Sequence, residues 1–121
     1  MFKFIEHVAV HCADLEVSVP FYEDCFGFKA YSHHDRPGGG ITYMRLGSTV
    51  LELTQKQGET MSGMHFALET DDMDGDVAHL AAKGVEMTQE PRPLSAKRPG
   101  EGDTRRAVFK GPDGEMIEVR G

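Results

Sequence analysis

Apolar residues recur along this chain at two spacings, one typical of strands and the other typical of helices. Val8 and Val10 alternate with other residues at a period of two, as do Phe66 and Leu68, and this spacing predicts short strands. After each strand the apolar residues recur every three or four positions, which predicts an amphipathic helix. The helical positions are Leu15, Val19, Tyr22 and Phe26 in the first case, and Met73, Val77, Leu80 and Ala81 in the second.

Residues that favour helix ends flank both helical patterns. Asp14 and Asp72 stand at N-cap positions, where a carboxylate accepts hydrogen bonds from the first backbone amides of a helix. Gly27 and Gly84 stand where a helix commonly ends in a left-handed residue. Pro20 falls inside the first pattern, so we expect the opening turns of that helix to be loosened or kinked.

Three further strands follow each predicted helix, separated by residues that favour turns. Tight turns are predicted at Gly47-Ser48 and at 111–114, and a long loop with three prolines is predicted between Glu90 and Asp103. Alternation places the strands at 28–32, 41–46 and 49–54 in the first half, and at 85–88, 105–109 and 115–120 in the second.

The chain also repeats itself. Residues 7–15 align with 65–73 at a constant offset, and an apolar-Glu-apolar triplet closes each half. We therefore predict one domain, 1–121, made of module one at 1–56, a linker at 57–62 and module two at 63–121. The fold class is α+β, with two tandem βαβββ modules that form cupped mixed sheets and carry their helices on the outer face.

Composition narrows the class of partner. The chain has 121 residues with a formal charge of −7, which disfavours nucleic acid and anionic membranes and leaves a small molecule or another protein chain. No apolar run approaches the ~20 residues that a membrane span needs. The first ten residues, MFKFIEHVAV, lack the pattern of a signal peptide, so we expect a cytoplasmic location.

Strand alternation places four polar side chains at matched positions in the two modules. His7 and His65 lie at the first strands, directly before the apolar residues Val8 and Phe66. Glu52 and Glu118 lie in the last strands, each between apolar neighbours that face the helix. One His and one Glu of each module therefore point to the face that the helix does not cover. Polar residues are common on such a face, but recurrence of the same pair in both modules favours a shared role.

Two neutral imidazoles and two carboxylates suit a divalent metal ion. Together they supply two negative charges and a hard-to-borderline donor set, with room for water in a six-coordinate site. Ni, Co, Zn, Mn and Fe ions all fit this donor set, whereas a structural zinc site would more usually recruit cysteine.

The arrangement of motifs resembles the vicinal oxygen chelate superfamily, which includes glyoxalases, bleomycin-resistance proteins and extradiol dioxygenases. The resemblance covers nearly the whole chain. Its order of His, Glu, His and Glu is most similar to glyoxalase I, whose four metal ligands then correspond to His7, Glu52, His65 and Glu118. The motifs are His7-Val-Ala-Val, Phe26-Gly27-Phe28, Leu51-Glu52-Leu53, Met64-His65-Phe66-Ala67, Gly111-Pro112-Asp113-Gly114 and Ile117-Glu118-Val119.

This resemblance implies a metal-dependent lyase or isomerase, similar to lactoylglutathione lyase, that chelates two neighbouring oxygens of a small carbonyl compound or thiol adduct. The proton would move through an enediolate, with Glu118 or Glu52 as the base. An acyl-CoA epimerase of the methylmalonyl-CoA type and a non-catalytic drug-binding (resistance) protein are the alternatives. The resemblance also implies a homodimer, with the four ligands contributed by one chain or by two.

Four further residues are candidates for binding substrate. His11 shares the face of His7 and stands where glyoxalase I usually has an arginine, so the resemblance leaves the use of glutathione open. Lys56 occupies another position that is polar in that family. Lys97 and Arg98 belong to a basic stretch that would hold an anionic substrate tail.

Overall fold

A computed structural model describes Met1 and residues 3–121. The chain divides into two compact units, Met1–Met61 and Ser62–Gly121, which we call the first and the second unit. Each unit has the order strand, helix, and three further strands, so the predicted α+β class with two βαβββ modules is confirmed.

The first unit is a four-stranded mixed sheet with one helix. The sheet order is β1-β4-β3-β2, in which β1 and β4 are parallel and the other pairs are antiparallel. The helix packs against β4 and β2. The elements are β1 Val8–Cys12, α1 Leu15–Phe26, β2 Lys29–His34, β3 Ile41–Leu46 and β4 Thr49–Gln55.

The second unit repeats this topology. Its sheet order is β5-β8-β7-β6, again with the first and last strands parallel and the remaining pairs antiparallel. The elements are β5 His65–Glu69, α2 Met73–Ala82, β6 Met87–Leu94, β7 Thr104–Lys110 and β8 Met116–Arg120. In both units the first strand therefore lies beside the last strand.

Both predicted N-caps are confirmed. The Asp14 carboxylate accepts a hydrogen bond from the Glu16 amide, and the Asp72 carboxylate accepts one from Gly75. Gly27 ends α1 in the left-handed conformation, with φ of 74°. The helix continues through Pro20, its sixth residue, although this proline cannot donate the intrahelical hydrogen bond that an amide there would make to the Glu16 carbonyl.

The largest difference between the predicted and observed strand boundaries is in the sixth strand. Strand β6 was expected at 85–88 and followed by a loop, but it extends to Leu94 and includes Pro91 and Pro93. β6 is an edge strand and pairs only with β7. Prolines, which lack an amide hydrogen, are tolerated at such an edge because they disturb pairing with one strand and not with two. The register with β7 shifts twice along this stretch.

Apolar side chains on one face of each sheet form the cores. Tyr22 and Phe28 in the first unit, and Phe109 and Ile117 in the second, are no more than 1% exposed. Strand alternation sends the side chains between the apolar core residues to the opposite face. That opposite face carries the candidate ligands of each unit.

Candidate metal centre

His7 and Glu52 lie side by side in the first unit. Strand pairing sets Ala9 opposite Glu52, so His7, two residues earlier, shares the face of that glutamate. His7 Nε2 is 3.4 Å from Glu52 Oε2. Two donors bound at about 2.1 Å to one ion, at roughly right angles, lie about 3 Å apart, so this spacing suits two ligands of one metal.

A neighbouring carboxylate orients the His7 ring. His7 Nδ1 donates a hydrogen bond of 2.5 Å to Glu6 Oε2, which leaves Nε2 directed toward Glu52. Histidines that bind metals typically donate their other ring N–H to a carboxylate in this way. The hydrogen bond to Glu6 also raises the pKa of His7, outweighing the opposite effect of burial.

Two hydroxyl groups hold the Glu52 carboxylate. Thr54 Oγ1 donates a hydrogen bond of 2.8 Å to Glu52 Oε1, and Tyr43 donates a second. Burial raises the pKa of Glu52, but these hydrogen bonds, together with the nearby charges of His7 and Arg36, hold that pKa below its ordinary value. Tyr43 also packs edge-on against the His7 ring, with centroids 6.2 Å apart.

The second unit places its pair on the equivalent face but surrounds its glutamate differently. Ala67 pairs with Glu118, so His65 shares the face of Glu118 as His7 shares that of Glu52. His65 is exposed and Glu118 is buried. Arginines contact Glu118: Arg106 Nε lies 2.8 Å from Oε2, and Arg120 Nε lies 3.5 Å from Oε1.

Across Met1 and residues 3–121, no group of three or more His, Cys, Asp and Glu side chains has the arrangement of a metal site. Of the four predicted ligands, His7 and Glu52 are a pair in direct contact. The donor chemistry of that pair, with Glu6 behind His7, fits a divalent ion.

Glu59 links two of the substrate-binding candidates. His11 Nδ1 donates to Glu59 Oε2 at 2.5 Å, and Lys56 Nζ lies 3.4 Å from Glu59 Oε1. The hydrogen bond from His11 is the main cause that lowers the pKa of Glu59. His11 pairs with Thr54, so this cluster continues the face that carries His7 and Glu52.

Glu101 contacts the other two candidates. Its carboxylate accepts hydrogen bonds from the backbone amides of Lys97 and Arg98, at 3.0 and 3.2 Å, and from Arg98 Nη2 at 2.7 Å. The same Oε1 accepts a bond of 2.7 Å from Arg120 Nη2. The loop between β6 and β7 is thereby attached to β8 by one carboxylate.

Several residues at these sites were not singled out in the sequence, although a signal existed for Tyr43. The tight turn at Gly47-Ser48 fixes the register of β3 and β4, and counting back from it places Tyr43 opposite Glu52. Arg120 could also have been predicted, because it lies two residues after Glu118 in the same strand and therefore on the same face of the sheet. Glu59 lies in the predicted linker, where no periodicity applies.

Within the part of the chain that the structure describes, no helix combines the length and apolar character needed to cross a membrane.

Comparison with known proteins agrees with the fold and with the order of the motifs. Residues 4–119 match the Glyoxalase/Bleomycin resistance protein/Dioxygenase superfamily. A putative lactoylglutathione lyase of Brassica oleracea var. gemmifera is 32% identical over 93% of this chain, which corresponds to 42% of the relative. A probable lactoylglutathione lyase of Synechocystis sp. is 28% identical over 96% of this chain and 93% of its own length.

Solved structures share the architecture. A glyoxalase family protein from Enterococcus faecalis superposes with a TM-score of 0.81 at 24% identity, covering 99% of this chain and 98% of the other. A glyoxalase I mutant from Zea mays superposes with a TM-score of 0.79 at 26% identity, covering 95% of this chain and 44% of the other. The chain thus spans less than half the length of several plant relatives that it matches. The match over residues 4–119 shows that the chain belongs to the Glyoxalase/Bleomycin resistance protein/Dioxygenase superfamily.

Proposed function

We propose that this protein is a divalent-metal-dependent lyase or isomerase of the glyoxalase I type, acting on a small carbonyl compound or thiol adduct. The observation that carries the proposal is the His7 and Glu52 pair, with 3.4 Å between Nε2 and Oε2 and with Glu6 orienting the imidazole. Relatives named lactoylglutathione lyase over nearly the whole chain support the same class of reaction.

The proposed ligands are His7, Glu52, His65 and Glu118. Each unit supplies one His and one Glu, and the two pairs combine on one ion within a chain or across a homodimer. Ni, Co, Zn, Mn and Fe ions are the candidates, because imidazole and carboxylate ligands suit all of them. When bound, such an ion would supply Lewis-acid stabilisation of the negative charge that develops on a substrate oxygen.

The protein groups then have to move a proton between neighbouring carbons. Glu52 and Glu118 are the proposed bases, since a carboxylate within reach of the acidified C–H can accept its proton and return it to the adjacent carbon. Their surroundings differ, because Glu52 accepts bonds from hydroxyls whereas Glu118 contacts guanidinium groups. Single Glu→Gln variants at the two positions identify which one carries the proton.

Substrate is proposed to contact His11, Lys56, Lys97 and Arg98. His11 is the best oriented of them, because Glu59 holds its Nδ1 and leaves Nε2 for a ligand on the face that carries His7. A histidine donor in place of a family arginine favours a substrate whose tail is recognised by a hydrogen bond rather than by a guanidinium fork.

Metal analysis combined with isotope exchange tests this function. We expect one divalent ion per site in purified protein, removed by chelator, and solvent deuterium entering the product of a hemithioacetal substrate after metal is restored. Exchange with acyl-CoA thioesters only would identify an epimerase instead. Protein without metal whose Glu52→Gln and Glu118→Gln variants bind ligand unchanged would be a binding protein, and the proposal would be wrong.

A further inference from the structure

Glu59 contacts both substrate-binding candidates of the first unit at once. His11 Nδ1 donates a hydrogen bond of 2.5 Å to Glu59 Oε2, and Lys56 Nζ lies 3.4 Å from Glu59 Oε1. The hydrogen bond from His11 is the main cause that holds the pKa of Glu59 below its ordinary value, so this carboxylate is negatively charged near neutral pH. A histidine and a lysine therefore share one compensating anion.

Strand pairing and a turn bring Glu59 to this position. The Lys56 amide donates a hydrogen bond of 2.9 Å to the Cys12 carbonyl, so the chain stays beside β1 just beyond the end of β4. Gly58 follows with φ of +79°, a conformation that favours glycine, and it turns the chain immediately before Glu59. The side chains of His11, Lys56 and Glu59 are 32%, 43% and 47% exposed, so a ligand can reach all three.

This arrangement removes most of the attraction that Lys56 offers to an anion. A carboxylate approaching Lys56 Nζ would also approach Glu59 Oε1, which lies 3.4 Å from that nitrogen. Attraction and repulsion at similar distances largely cancel. Glu52, on the same face of the sheet, adds further negative charge.

Two arginines of the first unit have other partners. Arg45 lies over the Tyr31 ring, 4.6 Å from its centroid. Arg36 Nε donates a hydrogen bond of 3.2 Å to the Gly39 carbonyl, and the Arg36 charge helps to lower the pKa of Glu52. Lys56 is therefore the cation that an anionic group beside His11 would use, and Glu59 already compensates it.

The second unit, taken by itself, shows the same compensation. Arg98 Nη2 donates a hydrogen bond of 2.7 Å to Glu101 Oε1, which also accepts one of 2.7 Å from Arg120 Nη2. The basic stretch that was expected to hold an anionic substrate tail thus has a guanidinium group already bound to a carboxylate. In both units a glutamate neutralises a cationic candidate.

His11 suits a hydroxyl group better than a carboxylate. Because Nδ1 donates to Glu59, the ring offers its Nε2 to a ligand. That nitrogen accepts a hydrogen bond when the imidazole is neutral and donates one when it is protonated. A hydroxyl can both donate and accept, so it fits His11 in either state, whereas a carboxylate only accepts.

We propose that Glu59 determines the substrate specificity of this face: it orients His11 and cancels the charge of Lys56, so that the substrate carries an uncharged hydroxyl group here and not a carboxylate. The inference rests on the proposed function and narrows its substrate to neutral carbonyl compounds or adducts of hydroxyl-bearing thiols. Neither Glu59 nor Lys56 is a proposed metal ligand, so the cancellation does not depend on a bound ion.

Three matched hydroxamates test this specificity without measuring turnover. Each offers two neighbouring oxygens to the metal and has a tail that ends in a hydroxyl, a carboxylate or a methyl group. His11 lies two residues beyond Ala9, the partner of Glu52, or about 6.6 Å along β1, so tails of about five carbons span the distance. In the metal-loaded wild type, calorimetry should show the hydroxyl tail binding about three- to tenfold tighter than either other tail.

A gain of anion binding then assigns the specificity to Glu59. Glu59→Gln keeps an acceptor for His11 but frees the charge of Lys56, so the carboxylate tail should bind about three- to tenfold tighter than in the wild type. Adding Lys56→Gln should abolish this gain. Glu16→Gln is the matched control, because it makes the same change of charge at an exposed position of α1, on the other side of the sheet, and should leave the preference unchanged.

His11→Asn tests the hydroxyl contact separately. This variant should bind the hydroxyl tail no more tightly than the methyl tail, while the affinity for the methyl tail stays at the wild-type value. The melting temperature of each variant confirms that it is folded, which the partial exposure of all three side chains favours.

The possible failures are distinguishable. Wild-type protein that binds neither metal nor the methyl-tailed hydroxamate contradicts the proposed function. Normal binding of both, with the carboxylate tail bound as tightly as the hydroxyl tail or more tightly, contradicts only the specificity inference. An affinity for the carboxylate tail that Glu59→Gln leaves unchanged, or that Glu16→Gln raises equally, overturns the role of Glu59.

Discussion

His7 Nε2 lies 3.4 Å from Glu52 Oε2, across the parallel strands that join the beginning of the first unit to its end. The contact depends on register, because moving either strand by one residue would send one of the two side chains to the core face. Glu6 behind the imidazole and Thr54 beside the carboxylate fix the two donor groups. The pair is therefore preorganised for a common ligand.

Glu6→Gln should weaken metal binding without abolishing it. The substitution removes the charged acceptor that orients His7, and loss of such a partner typically lowers metal affinity about 10–100-fold. A competition titration with a chromophoric chelator measures the change. Glu90→Gln removes an exposed carboxylate that is not a proposed ligand and should leave the affinity at the wild-type value. Equal affinities in both variants would argue against His7 as a ligand.

Thr54→Val should destabilise the protein by about 1–2 kcal/mol, because Glu52 then loses a hydrogen bond from a buried hydroxyl. The pKa of Glu52 should rise toward its ordinary value, since the bond from Thr54 is the largest of the effects that lower it. Urea unfolding measures the stability, and carboxyl NMR of metal-free protein measures the pKa. Thr49→Val, at an exposed position of the same strand, should change neither.

Glu101 should make the protein more sensitive to acid. Hydrogen bonds from Arg98, and then from the Lys97 amide, lower its pKa from 4.5 to about 2. A group whose pKa is lower in the folded state stabilises the fold above its unfolded pKa, and this contribution is lost as the pH falls from about 4.5 toward 2. Glu101→Gln should therefore flatten the fall in melting temperature over that interval. A fall as steep as in the wild type would assign the acid sensitivity to other carboxylates.

Gly27→Ala should cost about 1–2 kcal/mol through backbone strain alone, because φ at this position is +74° and nothing lies within 4 Å of an added Cβ. Gly102→Ala is the control, since its Cβ is also uncrowded and its backbone is not left-handed. Chemical denaturation of the two variants compares them directly. Comparable destabilisation of both would mean that conformation at Gly27 is not the cause.

Much of the fold was predictable because local signals agree with one another. Asp14 and Gly27 limit the first helix in the structure as they do in the sequence. Within that helix the buried face is rotated from the predicted one, since Ser18 is buried while Val19 is only partly so. Ser18 is small enough to allow close packing of the helix against the sheet. A prediction from hydrophobic periodicity misses it because serine is not counted as apolar.

The surroundings of the candidate site were less predictable because they depend on pairing between strands. Alternation indicated that Glu52 and Glu118 face away from the cores, but not that Tyr43 lies opposite one and Arg106 near the other. Internal symmetry in the sequence also suggested equivalent glutamates. The structure gives them different neighbours, because the repeat preserves the topology but not the residues around each carboxylate.

The parallel pairing of terminal strands has a consequence for the order of assembly. In each unit the histidine is synthesised first and the glutamate comes only with the final strand, so neither proposed half-site exists until that strand has docked. Metal would accordingly bind only after the strands of a unit have folded. A bound ion would then hold the first and last strands of that unit together and reduce local unfolding at their ends.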